Sequence, residues 1–339
     1  MIITVTPSPA IDWTVNVDSF EFAAVNRVAS RTREPSGKGI NVSVALHRNG
    51  VPTAAIFPAG GDTGRFMAGD LRRQGIEIIP VESPRDVRTN ITLIVPGQSG
   101  TKINEPGEPL EPEVMESLRT ACEDALLAAD AANQGSPVML AICGSLPPET
   151  PEWFHSGMIE VGRQARAIVI VDASGDVLRR AIPEKPDLIK PNVHELAEET
   201  GHSIETLGDV SEAAQELRRR GAGAVLASLG GDGMMLVDAD GAIHGTATDI
   251  AVVNTVGAGD AALAGYLAGL DQRLDRAACL ASALAYASSA VGHQTTLFDV
   301  DPHIAERVTV TDAFDRDRRL SEPALAQMTQ DSRATAAGT

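Results

Sequence analysis

The stretch N-T-V-G-A-G-D-A-A-L-A-G, Asn254 to Gly265, joins a turn of small residues to an apolar, Ala- and Leu-rich run that reads as a helix. Gly257, Ala258 and Gly259 bring the chain into that helix without bulky side chains, so bare backbone N–H groups can approach a ligand closely. The helix dipole adds partial positive charge at the same end, which favours an anion. Asp260 follows at once. A carboxylate is a poor partner for a resting phosphate, but it suits a hydroxyl that must lose its proton while attacking phosphorus. An anion hole with an adjacent base is therefore the reading around which the rest of the chain is arranged. A simpler alternative is a glycine turn with Asp260 capping the helix. A dinucleotide fingerprint is another, since Gly257, Gly259 and Ala262 match G-x-G-x-x-A. That fingerprint requires a following strand with an acid about 20 residues on, whereas the sequence after Asp260 stays helical through about Leu270.

Composition narrows the classes open to such a site. The chain has 339 residues, 43% of them hydrophobic, enough for one large core. A net charge of −18 disfavours nucleic acid and anionic membranes as partners, so any bound phosphate needs a local basic site. Cys122, Cys143 and Cys279 are odd in number, widely spaced and in apolar surroundings, which predicts buried thiols in a reducing compartment. His47, His155, His194 and His202 show no ligand spacing. No apolar run reaches membrane-span length and no cleavable leader is visible, so a cytoplasmic location is expected.

Upstream and downstream of the opening stretch, strands and helices alternate. Ile2 to Thr6 reads as a buried strand, emptying through Pro7 and Pro9 into a loop that carries Asp12. Trp13 to Val17 and Val25 to Thr32 alternate apolar and polar residues, as does the hairpin-like run from Val87 to Glu105 around the turn G-Q-S-G. These runs predict a small exposed sheet that can close over a site as a lid. Between them, Gly37-Lys38-Gly39 opens an amphipathic helix ended by Gly50. It is not a phosphate loop of the Walker type, because the upstream glycine and the Ser or Thr after the lysine are missing. Later βα units predict a parallel sheet flanked by helices, with turns at Cys143–Pro147, Ser228–Gly233 and Thr255–Asp260 falling after strands, where α/β ligand sites lie. From about Asp315 the sequence turns polar, then small, and predicts a poorly ordered tail over 313–339.

Five segments occurring in order resemble the ribokinase-like carbohydrate kinases of the phosphofructokinase B group. They are S-P-A-I-D (Ser8–Asp12), S-G-K-G-I-N-V (Ser36–Val42), K-P-N-V-H-E (Lys190–Glu195), S-L-G-G-D-G (Ser228–Gly233) and T-V-G-A-G-D-A (Thr255–Ala261). The opening, the G-K-G-I-N-V run, R-T-N at Arg88–Asn90 and K-I-N-E-P-G at Lys102–Gly107 look most like 1-phosphofructokinases. The resemblance implies a ribokinase-like α/β fold with a mostly parallel central sheet and a small β-sheet lid. One kinase domain would span 1–312, with lid strands from about 10–35 and 87–106. It implies ATP and magnesium, a sugar phosphate as acceptor, and a lid sheet able to pair with that of a second chain as a homodimer.

Carried over residue by residue, the resemblance makes Asp260 the base and the N–H groups of Gly257, Ala258 and Gly259 the anion hole. Asp12 and Asn41 would hold sugar hydroxyls, with Gly37 and Gly39 giving close backbone approach. Lys38 and Arg88 would meet the sugar's existing phosphate, and Asn90 and Asn104 would line the same lid. Asn192 and Glu195 match an N-x-x-E motif that organises magnesium, largely through water. Lys190, Ser228, Gly230, Gly231, Asp232, Gly233 and Thr255 would contact the nucleotide. Ser8 stands where the family usually has Asn, Ser36 where it has Gly, and Ala261 where Ser is common. A serine at 36 resists positive φ, so lid closure or substrate choice is expected to differ. The nearest alternatives are a tagatose 6-phosphate kinase and a 6-phosphofructokinase; a non-catalytic sugar-phosphate-binding regulator and an NAD-dependent oxidoreductase are alternatives of other classes.

Overall fold

The structure is a computed structural model that describes residues 1–98, 100–132, 136–293 and 297–324. In chain order its elements are β1 (Ile2–Val5), β2 (Ala10–Val17), β3 (Val28–Ser36), α1 (Lys38–Arg48), β4 (Thr53–Gly60), α2 (Gly61–Arg73), β5 (Glu77–Ser83), β6 (Arg88–Ile94), β7 (Thr101–Asn104), α3 (Pro112–Ala132), β8 (Met139–Cys143), α4 (Trp153–Gln164), β9 (Ile168–Asp172), α5 (Gly175–Ala181), β10 (Leu188–Ile189), α6 (Val193–Thr200), β11 (Ile204–Thr206), α7 (Leu207–Arg220), β12 (Ala224–Ser228), β13 (Met234–Asp238), β14 (Gly241–Ala247), α8 (Ala258–Asp271), α9 (Arg276–Val291), α10 (Pro302–Ala305), β15 (Val308–Thr311) and β16 (Arg319–Ala324). Among the described residues the central sheet has the order β15-β14-β13-β12-β10-β9-β8-β1-β4-β5. It is parallel from β12 through β5 and antiparallel from β12 outward through β15.

The strand period of two explains the layering. In β1, Ile3 and Val5 point into one helix layer and Ile2 into the other. In β8, Leu140 and Ile142 join the first, while Met139, Ala141 and Cys143 join the second. The first layer is built from α3 to α7, the second from α1, α8 and α9. All three cysteines are buried and unpaired. Helix α8 is apolar on every side and buried, as the sequence A-A-L-A-G-Y-L-A-G requires. Its glycines let α9 come close: a methyl at Gly265 would lie 2.5 Å from the carbonyl oxygen of Ser282 and 2.8 Å from Tyr286. The helix that opens with the anion-hole turn is thereby fixed to the sheet by backbone-close packing.

The expected lid is a separate sheet of order β3-β2-β6-β7. Its register sorts the side chains. Glu34, Asp12, Asn90 and Asn104 stand side by side across the four strands, with Arg88 beside Ala10 and Ser36 two residues away on the same face. The opposite face carries Arg33, Trp13, Ile91 and Ile103 in the next row and Arg31, Val15 and Leu93 beyond it. Arg31 and Arg33 lie over the Trp13 ring, and Arg33 also over Phe66 of α2. The turn expected between β6 and β7 includes Ser99, which lies outside the described residues.

Two expectations are corrected. Ser36 does not need positive φ: it is the last residue of β3, paired with Ala10, and the left-handed backbone falls on Gly37 at φ 132°. Order also does not end at 313. Residues 319–324 form β16, which pairs antiparallel with β11 and buries Leu320 and Ala324 in the first helix layer. The polar composition hid a strand whose apolar anchors are only two residues. The rest of the expected tail, 325–339, lies outside the described residues. No helix among the described residues is long and apolar enough to cross a membrane.

Candidate active site

Gly257 is the N-cap of α8 and takes φ 80°, a left-handed conformation that glycine adopts without strain. No side chain caps the helix, and although the Ala258 N–H turns back to the Thr255 carbonyl at 3.3 Å, the first turn presents its backbone donors at the helix's positive end, where a ligand can use them. Asp260, in the first turn, is buried, and its Oδ2 accepts a 2.7 Å hydrogen bond from Nδ2 of Asn41 in α1. Burial and the negative charge of Asp172 raise its pKa from 3.8 to about 6, against the opposing pull of Asn41, Lys190 and Lys38. A carboxyl near 6 is ionised at neutral pH yet basic enough to take a proton.

Asp172 was not among the expected residues. It ends β9 with its side chain fully buried, and two lysines converge on it: Lys38 at 2.9 Å and Lys190 at 3.3 Å. Burial alone would raise its pKa, but Lys190 and Lys38 outweigh that and hold it below the ordinary value. Lys38 is in turn held protonated: burial opposes its charge, and Asp172 more than restores it. Lys38, expected to meet a sugar's phosphate, has its ammonium matched here by a buried carboxylate 134 residues away. Lys190 is nearly inaccessible, and a methyl placed on Gly259 would sit 3.3 Å from its Nζ. A fixed cation therefore lies beside the open end of α8.

Gly39 brings α1 against the end of β1: a side chain there would meet Thr6 Oγ1 at 2.5 Å and the Val5 carbonyl oxygen at 3.2 Å. This approach carries Lys38 and Asn41 to the sheet's C-terminal edge, where Asp172, Lys190 and Asp260 also arrive. The lid contributes its polar row. Asn90 Nδ2 donates to Asp12 Oδ1 at 3.0 Å, and Asn90 Oδ1 is buried with no partner. Glu34, the neighbour of Asp12, has its pKa raised by burial and by Asp12 and Asp70. Arg88 is half-buried; burial lowers its pKa, Nη1 reaches only the Glu105 carbonyl oxygen at 3.2 Å, and Nε is unpartnered. Asn104 is exposed at the end of the row.

Comparison with known proteins decides the family. Residues 4–302 match the pfkB family carbohydrate kinase pattern. The chain belongs to the pfkB family of carbohydrate kinases. It is 34% identical to a 1-phosphofructokinase of Bacillus subtilis (strain 168) over 81% of this chain and 87% of that protein. It is 35% identical to a D-tagatose-1-phosphate kinase of Klebsiella oxytoca over 86% of this chain and 93% of that one. Among solved structures, phosphofructokinase-2 from Escherichia coli superposes with a TM-score of 0.81 at 28% identity, covering 90% of this chain and 97% of that one.

In this pfkB kinase the remaining expected residues fall into two groups. Asn192 and Glu195 form a capping box at the start of α6: Asn192 Oδ1 accepts from the N–H groups of His194 and Glu195, and Glu195 Oε2 accepts from the Asn192 N–H at 2.8 Å. The N-x-x-E spacing is therefore explained in part by helix capping. Ser228 ends β12 and bridges Asn192. Gly230 and Gly233 take φ 58° and 92°, and a side chain on Gly231 would meet nothing within 4 Å, so the outer face of this loop is open. Asp232 differs from expectation. It is 3% exposed, and its carboxylate accepts from Arg318 at 2.9 Å and from the Ser321 N–H at 2.6 Å. Its side chain is committed to the C-terminal strand rather than presented to a ligand. Thr255 is exposed, its carbonyl accepting from Ala258 at 3.3 Å.

Proposed function

We propose that this kinase transfers the terminal phosphoryl group of ATP to fructose 1-phosphate, giving fructose 1,6-bisphosphate and ADP. The observation that carries the reading is Asp260: a buried carboxylate with its pKa raised to about 6, in the first turn of an uncapped helix and next to the fixed cation Lys190. The fructose 1-phosphate assignment rests on the 1-phosphofructokinase relatives together with the lid residues quoted above.

The sugar's free terminal hydroxyl gives its proton to Asp260 as its oxygen bonds to the γ-phosphorus, and the bond to the bridging oxygen breaks toward ADP. Negative charge building on the transferred group meets the N–H groups of Gly257, Ala258 and Gly259 and the ammonium of Lys190. Asn41 aims Asp260, while Asp12 and Asn90 bind sugar hydroxyls in the lid row. With Lys38 matched by Asp172, Arg88 is the cation for the sugar's existing phosphate, its unpartnered Nε suiting a phosphate oxygen. Ser228 to Gly233 and Thr255 flank the nucleotide.

Magnesium, the usual companion of ATP, neutralises charge on the phosphates. Among the described residues no three ligating side chains converge, and the capping box engages only Oε2 of Glu195. One carboxylate and retained waters fit magnesium's reluctance to shed water, so Asn192 and Glu195 would hold it through water. Two copies pair through the apolar lid face, where Ile103 is 57% exposed and Val28 51%.

A coupled ADP-release assay with fructose 1-phosphate, D-tagatose 1-phosphate, fructose 6-phosphate and tagatose 6-phosphate tests the reading. The expected result is a kcat/KM highest for fructose 1-phosphate. A preference for D-tagatose 1-phosphate, the second reading given the Klebsiella oxytoca relative, would move the specificity while keeping the phosphate at the same end of the sugar. A preference for either 6-phosphate would overturn the assignment of Arg88.

A further inference from the structure

The family match ends at residue 302, yet the chain continues in an ordered path that returns to the glycine loop. Residues 315–318 cross the start of α7, where Leu207 N–H donates to the Arg318 carbonyl and Gly208 N–H to that of Arg316. Strand β16 then pairs with β11 and buries Leu320 and Ala324. Between these anchors the segment makes three hydrogen bonds to one carboxylate: Arg318 Nη2 to Asp232 Oδ1 at 2.9 Å, Ser321 N–H to Oδ2 at 2.6 Å and Ser321 Oγ to Oδ1 at 3.2 Å. Asp232 is the only member of the loop 228–233 whose side chain carries charge. Its backbone is held from the other side, since His244 Nε2 of β14 is 2.8 Å from its carbonyl oxygen. The inner face of the loop is thus fixed on two sides, while Gly231 on the outer face is open and Gly230 has only the Glu322 carboxylate near it, at 3.8 Å from a would-be Cβ.

We infer that residues 315–324 are a C-terminal strap that sets the shape of the nucleotide loop, with Arg318 and Ser321 acting through Asp232 as positioning residues for the bound nucleotide. The inference rests on the reading above that the loop flanks ATP. Glycines at 230, 231 and 233 give that loop many conformations, and a ligand must otherwise order it on binding. Three bonds to a buried carboxylate settle the conformation beforehand, without touching the nucleotide. A packing role alone would be served by Leu320 and Ala324 and would not require a buried charge.

The test uses the full chain. Arg318 is 42% exposed, so Arg318→Ala is expected to fold. Its KM for ATP and its dissociation constant for ADP, measured by calorimetry, should each rise about 5-fold, while KM for fructose 1-phosphate stays within about 2-fold. Asp232→Asn should do the same, and the double variant should be no worse than the weaker-binding single one, because both substitutions break one connection. Unchanged ADP affinity in Arg318→Ala, or effects that multiply in the double variant, would overturn the strap. Gly231→Leu keeps the two possible failures apart. Gly231 is exposed and a Cβ there would meet nothing within 4 Å, so the variant should change Tm little and weaken ADP about 10-fold or more if the loop faces the nucleotide. If Gly231→Leu binds ADP normally, the loop assignment itself is wrong; if only Arg318→Ala does, the loop stands and the strap falls.

Discussion

Asp260 ionises against burial and against the charge of Asp172, and the resulting pKa of about 6 has consequences for both rate and stability. If Asp260 takes the sugar proton, kcat/KM should fall about tenfold per pH unit below a midpoint near 6. Asp260→Asn keeps an acceptor for Asn41 but removes the base, so kcat should fall about 10²–10⁴-fold with ADP affinity nearly unchanged. The same variant should be more stable than the native protein at pH 8. A carboxyl whose folded pKa lies above its unfolded value binds protons more tightly when folded, so it withdraws stability as pH rises from 3.8 through about 6. Removing the charge should restore on the order of 1–3 kcal/mol, seen as a higher Tm at pH 8 and a gap that closes toward pH 4. A Tm at pH 8 equal to or below the native value would contradict the strained carboxylate. Asp172 supplies the second test. It is the largest charge contribution opposing ionisation of Asp260, so Asp172→Asn should shift the acid limb of the rate profile below 6 while lowering kcat, as Lys190 loses its anchor beside the anion hole.

At the scale of elements, the motifs were legible wherever a turn chemistry forced them. The Gly37 entry to α1 and the open glycine loop lie where small residues end a strand and begin a helix or turn, and the Gly257 turn lies where a loop after β14 enters α8. What the sequence concealed was partnership. Asp172 in V-I-V-D-A-S looks like any strand-end acid, and only the fold brings it between Lys38 and Lys190. Glu34 joins Asp12 and Asn90 through lid register, which alternation alone does not set. The α6 capping box shows the converse, a functional motif with a structural duty as well. Glu195→Gln separates the two. A glutamine can still accept from the Asn192 N–H, so the helix should keep its cap and Tm should move by less than about 1 kcal/mol equivalent. If Glu195 also holds magnesium through water, the variant should lose about 10-fold or more in kcat and need more magnesium for half-maximal rate. A variant with native kinetics would confine Glu195 to capping.

The whole molecule follows from patterning that the sequence carries openly: apolar strands buried on both faces, helices between them, and one half-polar sheet set apart. Polar composition was a poor guide only at the end of the chain, where Leu320 and Ala324 suffice to dock β16. The set-apart sheet raises the last question of assembly. A four-stranded sheet with one face toward the cleft leaves Trp13, Val15, Ile91, Leu93 and Ile103 on the other, and the neighbouring loop adds Phe22 and Val25, which are largely exposed. Ile103, Val28, Phe22 and Val25 are the exposed apolar side chains that a second copy would cover, and burying them would offset the high net negative charge that otherwise keeps copies apart. A second copy laid on this face would bury it and stiffen the sheet that holds Asp12, Asn90 and Arg88. Ile103→Lys places a charge on the exposed edge strand β7 of that face without touching the polar row. It should convert a dimer to a monomer in sedimentation velocity and raise KM for the sugar phosphate several-fold, about 1 kcal/mol or more, while KM for ATP changes little, because only the lid's order is lost. If the native chain sediments as a monomer, or the variant remains a dimer, the lid face is not the interface.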